Sequence, residues 1–166
     1  VYKRQLLIYH AIENKKKGMS VKENMQALEE LKHRIVHKFT VDDLTYLQRG
    51  GRISKTAAVI GGMIQLKPVL HVDTEGRLAA ESKVRGRKKA LNQLLAEMDI
   101  CTGGYADKQD VVLICHADCP EDAEYVRAKV EEKYHPNKII MSEVGPIVGA
   151  HVGPGTMVLI FEGDKR

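Results

Sequence analysis

The sequence predicts an α/β fold, in which helices pack against a β-sheet. Three apolar runs, within 111–115, 138–141 and 156–161, have the length and composition of buried strands. Between the first two, Pro120 opens a stretch with apolar residues three and four positions apart, which indicates a helix. Strands that alternate with helices in this way are typical of layered α/β structures.

Two helices are predicted before the first strand. Apolar residues within 6–12 precede Lys15–Lys17 and Gly18, which is the pattern of a helix with a cationic last turn and a glycine stop. Ser20 and Glu23 form a capping box for the second helix. Its apolar stripe consists of Met25, Leu28, Leu31 and Ile35.

This arrangement suggests a division of the chain. Residues 6–35 are interpreted as the helical end of a truncated N-terminal domain, because two helices with no preceding strand are an unusual start for an α/β domain. Residues 36–166 are interpreted as the C-terminal α/β domain. Residues 1–5 share no pattern with the rest of the chain and are interpreted as foreign to the natural protein.

The elements between these regions are bounded by Gly, Asp, Ser or Pro signals. In order, they are a strand at 36–40, a helix from Asp42–Asp43 to Gly50–Gly51, a short helix at 54–59, a hairpin with strands 68–72 and 78–84, a helix at 87–98, and a loop at 101–109.

Composition narrows the function classes. Apolar residues make up 43% and charged residues 29%, the balance of a globular protein. No apolar run approaches the roughly 20 residues of a membrane-spanning helix, and no secretory signal pattern opens the chain, so a cytoplasmic protein is expected. The three cysteines are odd in number, which fits a reducing compartment. Cys115, His116 and Cys119 lack a second ligand pair at zinc spacing, so no metal is expected.

The charge is mildly basic and uneven. The net charge of +4 is too small to indicate nucleic-acid binding, and only weak, non-specific retention of DNA is expected. Five of the seven residues in 83–89 are Lys or Arg. This basic segment is either a solvated helix start or a docking surface for an acidic partner or, transiently, an anionic membrane surface.

The segment 47–54 has Arg49 and Arg52 on either side of the pair Gly50–Gly51. A glycine pair lets the backbone turn sharply, and the planar guanidinium of arginine suits a carboxylate or a phosphate. The segment is therefore either an anion-binding loop or a plain turn between helices with solvated arginines.

A second glycine-rich segment, 145–155, contains four glycines, two prolines and one histidine, His151. An imidazole can donate a hydrogen bond to a carboxylate, although a structural histidine beside a tight turn fits the pattern as well. The segment is predicted to be a loop, without the Lys-Ser/Thr ending or following helix of a Walker motif. The other histidines are expected to be structural or solvent-facing: His10, His33, His37, His71, His116 and His135.

No nucleophile with a recognisable base is found in the sequence, which argues against self-contained catalysis. The apolar stretch 57–70 follows the arginine-bearing segment directly. Its flexible and branched aliphatic residues are suited to lining a tunnel for an acyl chain, and equally to forming ordinary core.

The two glycine-rich segments resemble the signatures of one protein family. Residues 42–54, together with Lys67-Pro68-Val69-Leu70, resemble the DegV family signature, and residues 145–155 resemble its C-terminal signature. The resemblance covers about residues 6–163. It implies a two-domain α/β fold of which this chain is the C-terminal portion, with a long-chain fatty acid enclosed between the domains.

The same resemblance implies a function. DegV proteins act as non-catalytic, fatty-acid-binding subunits of bacterial fatty acid kinase, where a separate ATP-dependent subunit phosphorylates the bound carboxylate to an acyl-phosphate for phospholipid synthesis. It implies that His151 binds the carboxylate, that Arg52 serves kinase engagement or phosphoryl transfer, and that no cofactor is needed. The candidates for lining the acyl chain are Ile53, Ile60, Met63, Ile64 and Leu66.

The residues alone also allow a different class of function. Arg49, Arg52 and the glycine-rich segments would also suit an enzyme that handles nucleotides or phosphate esters. A fatty acid bound to the purified protein would favour the carrier, whereas bound nucleotide without lipid would favour the enzyme.

Overall fold

The computed structural model describes residues 2–54 and 66–164, which contain both strands and helices. The strands are β1 (Ile35–Thr40), β2 (Leu66–Val72), β3 (Leu78–Arg85), β4 (Val111–His116), β5 (Lys138–Glu143) and β6 (Met157–Glu162). The helices are α1 (Tyr2–Lys16), α2 (Val21–Arg34), α3 (Leu44–Arg49), α4 (Arg87–Thr102), α5 (Pro120–Tyr134) and α6 (Pro146–Val152), with a 3₁₀ helix at Gly103–Lys108.

The strands form a mixed sheet in the order β3-β2-β1-β6-β4-β5. Strands β4 and β5 are parallel, and every other neighbouring pair is antiparallel. Strand β1 pairs with β6 so that Phe39 lies opposite Val158. The α/β class predicted from the sequence is confirmed.

Most strands contribute side chains to two apolar clusters, because successive residues of a strand point to opposite faces. Leu113 and Ile160 belong to the cluster on the first face, which α1, α2, α3 and α6 cover. Ile114 and Leu159 belong to the cluster on the second face, which α4 and α5 cover. The sheet is therefore buried on both sides over its central strands.

Two helices bury their apolar sides on the second face. Ala123, Val126 and Val130 of α5 are fully buried. The apolar stripe of α4 is buried or partly buried and consists of Ala90, Leu91, Leu94, Leu95 and Met98. Burying a Val, Leu or Met side chain contributes about 1.5–3 kcal/mol, so these stripes attach both helices to the sheet.

The first two helices pack directly on the first face. Leu6 of α1 and Leu31 of α2 are 1% and 5% exposed and lie in the same apolar cluster as the strands. The predicted capping box is present, with the Ser20 N–H donating to the Glu23 carboxylate at 2.8 Å. Helix α1 already begins at Tyr2. The foreign origin of residues 1–5 and the division at residue 36 stay predictions.

The prediction of a loop at 101–109 is wrong, because α4 continues to Thr102 and the 3₁₀ helix comes directly after it. Cys101 and Thr102 are buried. The Gln109 side chain donates hydrogen bonds to the carbonyl oxygens of Tyr105 and Glu162, at 2.9 and 2.7 Å. Glu162 is 53 residues away in sequence, so local composition could not reveal this contact.

The prediction of a loop throughout 145–155 is also wrong, because α6 occupies Pro146–Val152. Proline is favourable in the first turn of a helix, and the Gly149 and Gly153 N–H groups donate to carbonyls four residues earlier. Val148 and Val152, four residues apart, pack on the first face. The predicted helix at 54–59 lies almost entirely outside the described residues.

The predicted hairpin is confirmed as β2 and β3. Its turn is held by Asp73, whose carboxylate accepts from the N–H groups of Glu75 and Arg77 at 2.9 and 2.8 Å. Gly76 supplies the positive φ of +82° that the turn requires. None of the helices within 2–54 and 66–164 is long and apolar enough to cross a membrane.

Candidate functional site

The two short helices α3 and α6 lie side by side on the first face of the sheet. Helix α3 begins after Asp43, whose carboxylate accepts from the Thr45 N–H at 2.8 Å. Hydrogen bonds from the Thr45 side chain and backbone hold the pKa of Asp43 below its ordinary value, so the cap is ionised near neutral pH. The contact between α3 and α6 brings the two glycine-rich segments of the sequence together.

The close approach of these segments depends on glycine. A Cβ atom on Gly50 would lie 2.2 Å from Nδ1 of His151, and one on Gly153 would lie 2.4 Å from Cδ2 of Tyr46. Real side chains do not tolerate such distances. Any residue larger than glycine at position 50 therefore has to displace the imidazole of His151.

His151 and Arg52 line the same cavity, which has a volume of about 490 Å³. The sequence separates the two residues by almost a hundred positions, and the contact between α3 and α6 brings them together. Arg52 is exposed, and its guanidinium donates to the carbonyl oxygen of Gly50. Both residues thus line one cavity, whereas their roles stay a prediction.

The remainder of the cavity wall is mostly apolar. It is supplied by the strands and helices of the first face: Phe39, Leu47, Val72, Leu78, Val144, Val148, Val152 and Val158. Sequence reasoning did not identify these residues as part of the site. Alternate residues of a strand share one face, but that pattern is the same for solid core and for a cavity wall.

His37 also lines this cavity, and the prediction that it is structural or solvent-facing stays a prediction. Its ring lies 5.7 Å from that of Phe39, on the same strand. Of the other histidines, His10 and His71 lie 3.4 and 3.5 Å from the carboxylates of Glu162 and Glu81. Neither His10 nor His71 is among the described residues that line the cavity.

The predicted acyl-chain residues are placed only in part. Ile53 packs against the core of the first face and lines a second cavity of about 670 Å³. Leu66 is half-buried at the start of β2 and is not among the described residues that line either cavity. Ile60, Met63 and Ile64 lie outside the described residues.

The second cavity adjoins the first. Arg52, Gly76 and Leu78 line both, and Arg77 and Lys83 add positive charge to the second. Within the described parts of the chain, neither lining contains an aspartate or a glutamate. An apolar wall with cationic and imidazole groups suits a ligand that has a hydrocarbon body and an anionic end.

The cysteines do not form a site. Burial raises the pKa of the Cys115 thiol to about 12, so it stays protonated. The His116 ring accepts from the Cys119 N–H at 3.4 Å, which is a turn contact. No group of three His, Cys, Asp or Glu side chains suited to a metal occurs within residues 2–54 and 66–164.

The basic segment 83–89 is divided in the structure. Lys83, Lys88 and Lys89 are exposed, as expected for a solvated or docking surface. Arg87 instead bridges Asp42 and Asp122, with N–O distances of 3.1 and 2.7 Å. At least one cation of this segment therefore has a role inside the fold.

Comparison with known proteins relates this geometry to other chains. The chain is 40% identical over 161 residues to a DegV domain-containing protein of Clostridium perfringens, an alignment that covers 97% of this chain and 55% of the relative. It is 34% identical over 157 residues to a DegV domain-containing protein of Lactococcus lactis, covering 92% of this chain and 52% of the relative. The chain thus spans about half the length of these curated relatives.

Solved structures show the same fold. DegV of Bacillus subtilis, described as a fatty acid binding protein, is 30% identical with a TM-score of 0.79, covering 98% of this chain and 57% of that one. A DegV family protein of Thermus thermophilus, described by its fatty acid binding, is 27% identical with a TM-score of 0.80, covering 96% and 56%. A fatty acid kinase B3 protein of Streptococcus pneumoniae, loaded with linoleic acid, shares the fold at 18% identity, with a TM-score of 0.87 and coverage of 98% and 56%.

The family model described as uncharacterised protein, DegV family, matches residues 1–164, which include both glycine-rich segments and every strand of the sheet. The chain belongs to the DegV family.

Proposed function

We propose that the protein to which this chain belongs binds a long-chain fatty acid, with the carboxylate at His151 and the hydrocarbon chain along the apolar wall of the first face. The observation that carries the proposal is the shared cavity, in which His151 and Arg52 lie beside side chains of Val, Leu and Phe. The fatty acid binding described for the relatives of Bacillus subtilis and Thermus thermophilus supports it.

The geometry of the imidazole indicates which nitrogen meets the ligand. The Nδ1 edge of His151 faces the backbone of Gly50, which leaves no room for a ligand atom on that side. Nε2 is then the nitrogen that donates to the carboxylate. Thr156, the hydroxyl nearest in sequence, already donates to the carbonyl oxygens of Val152 and Gly153, so it serves the turn after α6.

Arg52 is suited to the later transfer of a phosphoryl group to the bound carboxylate. Its exposed guanidinium stands at the border of both cavities, where a separate ATP-dependent kinase subunit could reach the carboxylate. In that step a carboxylate oxygen forms a bond to the γ-phosphorus of ATP, and the bond from that phosphorus to the ADP oxygen breaks. A guanidinium stabilises the charge that develops on the transferring phosphoryl group.

In this proposal the chain belongs to a non-catalytic carrier, and the chemistry resides in its partner. The shared fold of the fatty acid kinase B3 protein is consistent with this arrangement. The exposed cations Lys83, Lys88 and Lys89 provide a surface for transient contact with an anionic membrane, from which a carrier could collect its lipid.

Mass spectrometry of the gently purified full-length protein tests the proposal. We expect a co-purified fatty acid at close to one equivalent, and a large loss of bound lipid in His151→Ala. Arg127→Gln is a matched control, because Arg127 pairs with Glu124 and Glu131 on the outer surface of α5. Bound nucleotide without lipid would contradict the carrier role and favour the phosphate-handling alternative.

A further inference from the structure

A row of three contacts joins the start of α3 to the end of α6. Asp42 lies directly before the N-cap residue of α3, Tyr46 lies within α3, and Gly50 is its C-cap residue. They meet Gly155, Gly153 and His151 respectively, in antiparallel order. His151 is therefore at one end of a row whose other end is Asp42.

The Asp42 end of the row is held by ion pairs with Lys67 and Arg87. Lys67 lies 3.0 Å from the Asp42 carboxylate and also donates to its backbone carbonyl at 3.2 Å. Arg87 lies 3.1 Å from the same carboxylate and 2.7 Å from Asp122. We call these four residues, Asp42, Lys67, Arg87 and Asp122, the Asp42 bridge.

The bridge connects the two layers of helices across the end of the sheet. Asp42 precedes α3 on the first face, whereas Arg87 and Asp122 lie in the first turns of α4 and α5 on the second face. The Arg87 guanidinium also lies 3.5 Å from the Cys119 sulfur, which contacts the Thr156 carbonyl oxygen at 3.4 Å. The side chains of Arg87 and Lys67 are 23% and 20% exposed, and that of Asp42 is 44% exposed, so the pairs lie partly in solvent.

Asp42 also touches the segment that carries the histidine. Its carboxylate packs so closely on Gly155 that a Cβ atom there would lie 2.6 Å from Oδ2. The backbone after α6 is held to the end of β4 by hydrogen bonds between Ala117 and both Gly155 and Thr156, at 2.7 and 2.9 Å. Asp42 thus lies between the start of α3 and the turn after α6.

We propose that the Asp42 bridge is a positioning device for His151. It holds the far end of the α3–α6 row, and through Tyr46 and Gly50 it sets the imidazole at the angle at which Nε2 reaches the ligand carboxylate. The inference rests on the proposed fatty acid function and adds Asp42 and Arg87 as positioning residues that do not touch the ligand.

Asp42→Asn in the full-length protein tests this inference, because asparagine keeps the size against Gly155 and removes the charge. The affinities for palmitic acid and for its methyl ester are measured by titration calorimetry or a displacement assay. We expect a loss of about threefold to tenfold for the acid, which lies in the lower part of the range of coupling between residues in one contact network. The ester, which lacks the charged head group, should change by less than about twofold.

A double-mutant cycle separates positioning from general loosening. In a His151→Ala background, Asp42→Asn should have almost no further effect on acid binding, because the group that it positions is gone. Equal losses for acid and ester, or an undiminished loss without His151, would overturn the inference. Arg127→Gln serves as the control for removing a paired arginine elsewhere.

If Asp42→Asn fails to fold, as judged by thermal melting, Arg87→Lys carries the same test, since lysine keeps the charge and cannot reach Asp42 and Asp122 together. If His151→Ala itself leaves acid affinity unchanged, the proposed function fails and the inference fails with it. If His151→Ala weakens binding and both bridge variants bind the acid normally, only the inference is overturned.

Discussion

Gly50→Ala is a sharp perturbation of the proposed site, because it adds one methyl group beside the histidine and nothing else. The new Cβ atom would lie 2.2 Å from Nδ1 of His151 and 3.1 Å from Cγ. Ordinary contacts between such atoms are about 3.5–4.0 Å, so the ring has to retreat by roughly 1.5 Å or change rotamer. Either movement takes Nε2 out of reach of a carboxylate.

The backbone itself should accept alanine at position 50. Gly50 has φ of −74° and ψ of −2°, which lies in the helical region that alanine adopts readily. Replacing glycine at such a position stabilises a protein by about 0.4–1 kcal/mol, through the lower entropy of the unfolded chain. We therefore expect the free energy of unfolding to change little, while the hydrogen bond to the ligand, worth about 1–3 kcal/mol, is lost.

This loss corresponds to a reduction in fatty acid affinity of roughly 5-fold to 150-fold. It is measured by competition with a fluorescent fatty acid on the full-length protein, with urea unfolding in parallel. Gly104→Ala is the matched control, because nothing lies within 4 Å of a Cβ atom there and its φ is not positive. Wild-type affinity in Gly50→Ala would refute the assignment of the head-group site to His151.

The same structure supports three other predictions. Arg52→Ala should leave fatty acid affinity within about twofold and slow acyl-phosphate formation by the kinase subunit, since removal of one charge-stabilising donor costs about 2.7–4 kcal/mol in the reaction; normal turnover would defeat its proposed role. Phe39→Ala should lower the free energy of unfolding by about 3–5 kcal/mol, because Phe39 is only 3% exposed; an unchanged urea midpoint would show that the first face does not depend on it. The lowered pKa of Asp43 stabilises the fold above the pKa of the unfolded chain, near 3.8, and this contribution is lost as the pH falls through the folded-state value. Asp43→Asn should therefore weaken the pH dependence of the free energy of unfolding below about pH 4. It should change this free energy little at pH 7, because asparagine is also a good helix cap. The same loss of stability at low pH in the variant and the wild type, measured by urea unfolding, would contradict this.

The elements that could be predicted from the sequence are those with local signals. Ser20 and Glu23 cap each other within one turn, and Pro120 opens α5 where its missing N–H costs nothing. Each signal depends on atoms within a few residues of chain, so no tertiary contact was needed to interpret it.

The predictions failed where distant residues decide the structure. Glycine and polar residues at 101–109 indicated a loop, but Gln109 is held by the carbonyl oxygen of Glu162, and Gly103 lies against the side chain of Asp164. At 145–155 the glycine content concealed α6, whose apolar residues become meaningful only when the first face of the sheet is present to bury them. Glycine content alone does not distinguish a loop from a tightly packed helix.

The candidate site likewise contains residues that could be identified from the sequence and residues that could not. His151 was noticed as the only histidine of a glycine-rich segment, whereas the selection of Arg52 over Arg49 came from the resemblance to the DegV family. Phe39 and Val158, which form part of the wall, could not be identified, because alternate apolar residues in a strand look the same whether they face a cavity or another side chain. Only the spacing between the sheet and α6 makes that distinction, and it is a property of the assembled fold.

The two glycine-rich segments are best understood as one unit. Gly50 makes room for His151, Gly153 for Tyr46 and Gly155 for Asp42, so residues 42–54 and residues 145–155 each contain glycines that accommodate side chains of the other. A substitution in either segment is therefore a substitution in the contact between them. If this is so, the losses of fatty acid affinity in Gly50→Ala and Asp42→Asn should not be additive, because both changes act on the imidazole of His151. Once one change has displaced the ring, the other has little further effect on binding. Fully additive losses of fatty acid affinity would mean that the row does not transmit position, and that each residue acts on binding independently.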